Sequence, residues 1–219
     1  MVLALIDINT MKRPVLRRRP DESVRPSDMV PPDPPPGARV SLRVLTREDR
    51  PEFLALARES RRLHRPWTYP PERADQFDEL YGRSRREDFL CMVAIHIETG
   101  AIAGVFTISQ IVRGAFQSAY LGYYAHEKFS GQGLMREALD QVLDHAFGAL
   151  GLHRIEANIQ PGNAPSIALA RGAGFRLEGF SPRYLLIGGQ WRDHERYAIT
   201  VDEHAAAKAA ASSSSEAAA

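Results

Sequence analysis

Gly131 and Gly133 lie between an apolar stretch, Tyr120–Ala125, and a run whose apolar residues recur at helical spacing. A helix N-terminus leaves backbone N–H groups unpaired and carries partial positive charge, so it is a natural seat for a phosphate. Glycines there remove the side chains that would hold a ligand away from those amides. Two comparisons narrow the ligand. A Walker loop continues from its glycines into Lys-Ser or Lys-Thr, whereas Leu134 and Met135 follow Gly133. A dinucleotide fingerprint needs a third glycine where this chain has Arg136. Taken alone, the two glycines also suit a tight strand–helix connection.

Further chemistry-bearing residues follow. Leu152–Gln160 alternates, with Ile155, Ala157 and Ile159 on one face and Glu156, Asn158 and Gln160 on the other. A central strand with a polar face needs something wet or functional against it. Gly162–Ser166 then opens a helix in which Asn163 is a cap and Pro165 is tolerated in the first turn. Cys91 sits in the apolar run Phe89–Ile97, where a buried thiol is the expected reading rather than a nucleophile. As the lone cysteine, it excludes an internal disulfide framework and fits a reducing compartment.

The elements that position these residues occupy the middle of the chain. Of 219 residues, 1–38 are rich in proline and arginine and read as a disordered arm, and 202–219 as a low-complexity Ala/Ser tail that frays or stays disordered. The folded unit is expected over 39–201. Arg39–Leu45 reads as a strand, after which Thr46 caps a helix with Asp49 three residues on. A second short helix is expected near 72–82, then a hairpin of Phe89–Ile97 and Ala101–Ser109, then a strand over Ser118–Ala125. The helix after the glycines runs from Leu134, with Gly151 at its C′ position. Strand, helix, strand implies a parallel pair by a right-handed crossover. Tyr184–Ile187, Gly188-Gly189 and Trp191–Val201 read as a closing β-hairpin. The expected fold is α/β, a mixed, centrally twisted sheet with helices on both faces.

Charge and hydropathy exclude some partners. Lys and Arg total 28 against 27 Asp and Glu, which gives no basic excess for direct binding of nucleic acid. No apolar stretch approaches the roughly 18 to 20 residues of a membrane span. The opening MVLALIDINT is interrupted by Asp7 too early for a signal sequence. A soluble cytoplasmic protein is expected.

Together these segments resemble the GNAT N-acetyltransferase superfamily, in particular ribosomal-protein-alanine N-acetyltransferases of the RimJ/RimL type. The resemblance covers 39–201. It is carried by K-F-S-G-Q-G-L-M (Lys128–Met135), L-G-Y-Y-A (Leu121–Ala125), N-A-P-S (Asn163–Ser166) and A-R-G-A-G-F (Ala170–Phe175). The hairpin Y-L-L-I-G-G-Q-W-R-D-H (Tyr184–His194) and H-R-P-W (His64–Trp67) point to the RimJ branch. The resemblance implies acetyl-CoA as co-substrate and no metal. Amides of Gly131, Gln132, Gly133, Leu134 and Met135 would hold the CoA pyrophosphate. The strand Tyr123, Tyr124, Ala125 and His126 would pair with the pantetheine arm, with Asn158 and Asn163 beside it. Trp67 and Tyr184 would line the acceptor mouth.

This chain departs from the family pattern at three positions. Lys128 begins the loop where the superfamily has Arg or Gln. Ala170 occupies the place of a tyrosine general acid seven residues after the asparagine, so the resemblance assigns that role to Ser166. Arg183 precedes Tyr184 where RimL relatives have a glutamate base, which leaves Glu156 as the substitute and His126 as a further candidate. An α-amine is roughly one-fifth neutral at pH about 7.2, whereas a lysine is neutral in fewer than about one molecule in a thousand. A weak base therefore favours an α-amine acceptor. The leading expectation is direct acetyl transfer to a protein N-terminus, a ribosomal protein above all. A small-molecule amine acetyltransferase and a non-catalytic acyl-CoA-binding module are the alternatives.

Overall fold

The computed structural model describes residues 29–216. The first expected strand is β1 (Val40–Val44). Thr46 follows, its backbone N–H donating to Asp49 Oδ2 at 2.7 Å and its hydroxyl at 3.2 Å. Both terminal nitrogens of Arg43 grip Asp49 at 2.6 and 2.7 Å. This clamp starts the helical layer: α1 (Arg50–Glu59), the short α2 (Arg61–His64) and α3 (Ala74–Arg83).

Then come β2 (Phe89–His96), β3 (Ile102–Val112) and β4 (Ser118–Ala125), followed by α4 (Leu134–Phe147), β5 (Arg154–Ile159) and α5 (Ala164–Gly172). The chain closes with β6 (Arg176–Ile187), β7 (Gln190–Thr200) and α6 (Val201–Glu216). The seven strands form one mixed sheet in the order β1-β2-β3-β4-β5-β7-β6. β4 and β5 are the parallel neighbours and the other pairs are antiparallel. Helices cover both faces, as expected. In β2, Leu90, Met92 and Ala94 join the core under α4, while Cys91 and Val93 join the core of α1 and α3. A strand buried on both faces reads as an unbroken apolar run. Burial pushes the Cys91 thiol up to about 12, the state of an inert core residue.

Several boundaries differ from expectation, among them the start of β6, at Arg176 rather than Tyr184. α4 ends at Phe147, because Gly148 turns to φ −81°, ψ −85° and breaks the spiral before Gly151 is reached. Leu150 stays in the core off the end of the helix. The sequence reading stops the folded unit at 201, yet α6 continues it. Buried His204 places Nε2 2.8 Å from Asp144 Oδ1 on α4, and Lys208 Nζ reaches the same carboxylate at 2.7 Å. Alanine is a strong helix former, so this anchor suffices to order the segment. Of the expected arm over 1–38, residues 1–28 lie outside the described residues, while Pro31 is buried and Met29 packs on the core. No helix among the described residues is long and apolar enough to cross a membrane.

The feature that positions the site is the short parallel ladder. β4 and β5 pair as Ser118↔Arg154, Ala119↔Ile155 and Tyr120↔Glu156, and no further. Beyond it the strands part, β4 running on to Ala125 and β5 to Ile159.

Candidate active site

The parted strands open a cleft of about 480 Å³, whose walls include β4, the glycine turn, β5, the start of α5, the His64–Thr68 loop and the β6–β7 hairpin. At one end lie Gly131, Gly133, Met135 and Arg136. Gly133 caps α4 at φ 80°, a left-handed conformation that suits glycine. Nothing lies within 4 Å of where a Cβ at Gly131 would sit. The turn is braced from behind. Glu137 in the first turn of α4 accepts from the backbone N–H groups of Arg39 at 2.5 Å and Val40 at 3.2 Å. The Arg39 guanidinium returns to Glu137 at 3.0 Å and to the Gln132 carbonyl at 3.0 Å. Gln132 folds its side chain onto the Lys128 carbonyl and Leu134 buries its own in the core. These two residues therefore offer backbone, not side chain, to a ligand.

Along the β4 wall, Tyr123, Tyr124 and Ala125 all line the cleft. The Tyr123 hydroxyl donates to the Ser166 carbonyl at 3.0 Å, and burial pushes its pKa up to about 12. That bond ties β4 to the first turn of α5. The Tyr124 hydroxyl is buried with no partner. His64 Nε2 donates to the Ala125 carbonyl at 2.8 Å, and its Nδ1 is buried without a partner. His126 is not on this wall: its ring turns toward α1, with Nε2 3.1 Å from Glu59.

The opposite wall carries Asn158, Asn163 and Ser166. Asn163 Oδ1 accepts from the Ser166 N–H at 3.3 Å, the expected cap. Asn158 Oδ1 is buried with no partner. Trp67 also lines the cleft, its ring against Gly162 and its carbonyl accepting from Gln160 Nε2 at 2.8 Å.

Besides His126, Gln132 and Leu134, two more expected residues, Glu156 and Tyr184, do not line the cleft. Glu156 sits on the last joined pair, where its carboxylate meets Arg154 Nε at 3.0 Å. Arg154 also binds Glu178, and the chain of ion pairs continues through Arg176 to Glu203. This network engages the Glu156 carboxylate outside the cleft lining. Tyr184 stands beside Tyr120, whose hydroxyl it pushes up to about 12. Leu185, Ile187 and His194 line the cleft from the hairpin instead. His194 was not singled out in the sequence; the signal was its place in β7, where it is 3% exposed between the solvent-facing Asp193 and the half-buried Glu195.

The arrangement suits one shape of ligand: extended, with a phosphate at the glycine end and an amide-bearing arm along β4. Asn158, whose Oδ1 has no partner, lines the same cleft and can accept a hydrogen bond there.

Comparison with known proteins agrees with this geometry. The ribosomal protein uS5-alanine N-acetyltransferase of Escherichia coli (strain K12) is 44% identical over 102 residues, 47% of this chain and 53% of that protein. The chain spans about half the length of this relative and of several others. Among solved structures, Mycobacterium smegmatis RimJ in complex with CoA-disulfide superposes with a TM-score of 0.69 at 33% identity, covering 77% of this chain and 85% of that one. Spermidine N-acetyltransferase from Vibrio cholerae, in complex with CoA and spermine, shares the fold with a TM-score of 0.66 at 23% identity, covering 76% and 98%. Residues 39–176 match the family described as Acetyltransferase (GNAT) domain. Since that match runs from β1 into β6, across the glycine turn and the parted strands, this chain belongs to the GNAT acetyltransferase family.

Proposed function

We propose that the chain transfers an acetyl group from acetyl-CoA to the N-terminal α-amine of a protein, a ribosomal protein first of all. The observation that carries this reading is the parting of β4 from β5 beside a glycine-opened helix N-terminus. Amides of Gly131–Met135 would hold the pyrophosphate, β4 from Tyr123 to Ala125 the pantetheine arm, and Asn158 and Asn163 its amides. Acetyl-CoA supplies the acetyl group as an activated thioester. A β4 backbone N–H aimed at the thioester oxygen contributes about 3 to 4 kcal/mol to lowering the barrier.

Ser166 is the acid in this reading. It lines the cleft in the first turn of α5, where the helix N-terminus favours loss of a proton. For Ser166→Ala we expect kcat to fall about 100-fold with CoA affinity nearly unchanged. An equal loss in CoA affinity would make Ser166 a binding residue only.

Charge favours an α-amine acceptor over a polyamine. None of the described residues lining the cleft is a carboxylate. A polyamine would bring several positive charges into that wall without a counter-charge, whereas a protein N-terminus brings one. The relatives at 44% and 33% identity, a ribosomal-protein-alanine N-acetyltransferase and a RimJ, support the same choice. The second reading, a small-molecule amine acceptor, draws on the spermidine enzyme of like fold. The third, a binding module without turnover, draws on Ala170 and Arg183. Thiol release with Ala- and Ser-initiated peptides and with spermidine separates them. Peptides are expected to lead by at least about tenfold in kcat/KM, roughly 1.4 kcal/mol. Faster turnover of spermidine sinks the protein acceptor, and CoA binding with no thiol release for any amine sinks the enzyme. Both substrates would place the reaction in the cytoplasm.

A further inference from the structure

Of the described residues lining the cleft, two have side chains that accept a proton near neutral pH, His64 and His194. His64 is closed. Its Nε2 is committed to the Ala125 carbonyl, and its Nδ1 is sealed from solvent, so a proton taken there has no way out. His194 is set the other way. Its Nδ1 lies 3.0 Å from the Arg192 carbonyl. A carbonyl only accepts, so Nδ1 carries the hydrogen and Nε2 keeps its lone pair. No described hydrogen bond uses Nε2.

The surrounding backbone aims this ring. β6 and β7 pair at Ser181↔His194 and next at Leu185↔Arg192, so Pro182, Arg183 and Tyr184 bulge opposite Asp193. Arg183 stands at φ 48°, rare for a bulky residue, and its N–H is held by Asp193 Oδ1 at 2.7 Å. The bulge brings the Tyr184 ring edge-on to His194, centroids 6.1 Å apart. Bulges beside clefts re-aim side chains, and strained backbone persists where function holds it.

We infer that His194 is the general base that takes the proton from the attacking amine, with Asp193 as the positioning residue that holds the bulge. The inference rests on the acetyl-transfer reading above. The amine lone pair forms the N–C bond to the thioester carbonyl, and the nitrogen's proton passes to His194 Nε2. The C–S bond breaks, and the departing thiolate takes the Ser166 hydroxyl proton. His194 then gives its proton to solvent, and Ser166 regains one from it. Burial lowers the His194 pKa below its ordinary value, against the Arg192 carbonyl and the Asp193 charge, which raise it. The ring is thus neutral at pH 7. Tyr184 packs on it from β6, and Asn158 and Gln160 of β5 share the cleft wall without titrating.

The test compares the full chain with His194→Gln. With acetyl-CoA and an Ala-initiated peptide, kcat is expected to fall about 100-fold, while the CoA dissociation constant and thermal midpoint stay in place. At low pH, log kcat/KM of the unaltered chain should climb with a slope of about two, from amine and imidazole together, and that of His194→Gln with a slope of about one. A variant that keeps full turnover and the steeper slope overturns the proposal and leaves acetyl transfer standing. An unaltered chain that releases no thiol with any amine overturns both. Nitrogen NMR of the unaltered protein reads the same point without activity or a variant. A bare Nε2 at pH 7 is expected, and an Nε2–H tautomer or an imidazolium overturns the assignment.

Discussion

Glu156 and Asn158 stand two residues apart on one face of β5 and do different work. The ladder to β4 still holds at Glu156 and has ended at Asn158. One side chain is therefore drawn into an ion-pair network and the other is left with a buried, partnerless oxygen. Glu156→Gln should leave kcat nearly intact and lower stability by about 1 kcal/mol, because Arg154 loses one of two carboxylates. A large loss of kcat would return Glu156 to the chemistry. Asn158→Ala should weaken CoA binding by up to about tenfold, one hydrogen bond's worth, without lowering the thermal midpoint. Periodicity made the polar face of this strand legible, but not the residue at which the strands part. His194 was illegible for a related reason: the bulge opposite Asp193 shifts the pairing, and a period of two cannot show which side chain a bulge aims.

Among elements, β4 was legible residue for residue as Ser118–Ala125, since its flanking turns are marked. α6 was not, because an Ala/Ser run has no amphipathic stripe, and its anchor, His204 on Asp144, depends on tertiary contact. Burial pulls the Asp144 pKa up, but hydrogen bonds from Lys208 and His204 outweigh it and leave the carboxyl below its usual range. The stability it contributes is present above its unfolded pKa of about 3.9 and is lost as pH falls through the folded value. Asp144→Asn should therefore cost under about 1 kcal/mol at pH 7, since the carboxylate is partly exposed, and the difference should begin to shrink below about pH 4 and vanish once the pH is below the folded value. Melting curves across that range decide it. The hairpin tip makes a second element-scale contact. Gly188, at φ +58°, packs so closely on Tyr69 that a Cβ would lie 2.5 Å from its hydroxyl. Gly188→Ala should lift the hairpin off the His64–Thr68 loop and raise the acceptor KM more than it changes CoA affinity. Equal effects on both would show that the hairpin also grips CoA.

At the scale of the whole molecule, the sheet is two half-sheets, β1–β4 and β5–β7–β6, sharing three residue pairs. The order of elements made the mixed architecture legible, whereas the length of this seam was not, because strand signals carry no information on where two neighbours stop pairing. Although the halves share one core under α4, so narrow a seam is where local opening is expected to begin, with each half a unit of its own. A ligand lying between β4 and β5 would act as a keystone, turning two units into one. At 100 times its dissociation constant, bound CoA adds about 2.7 kcal/mol, so amides of β5 and β7 should exchange about 100-fold more slowly. Hydrogen exchange by mass spectrometry reads this directly. Protection confined to the first turn of α4 would show that the halves are already locked. If the keystone holds, the cofactor-binding gap is also the joint on which the protein's lifetime depends, and cellular CoA supply would set how fast proteases find it.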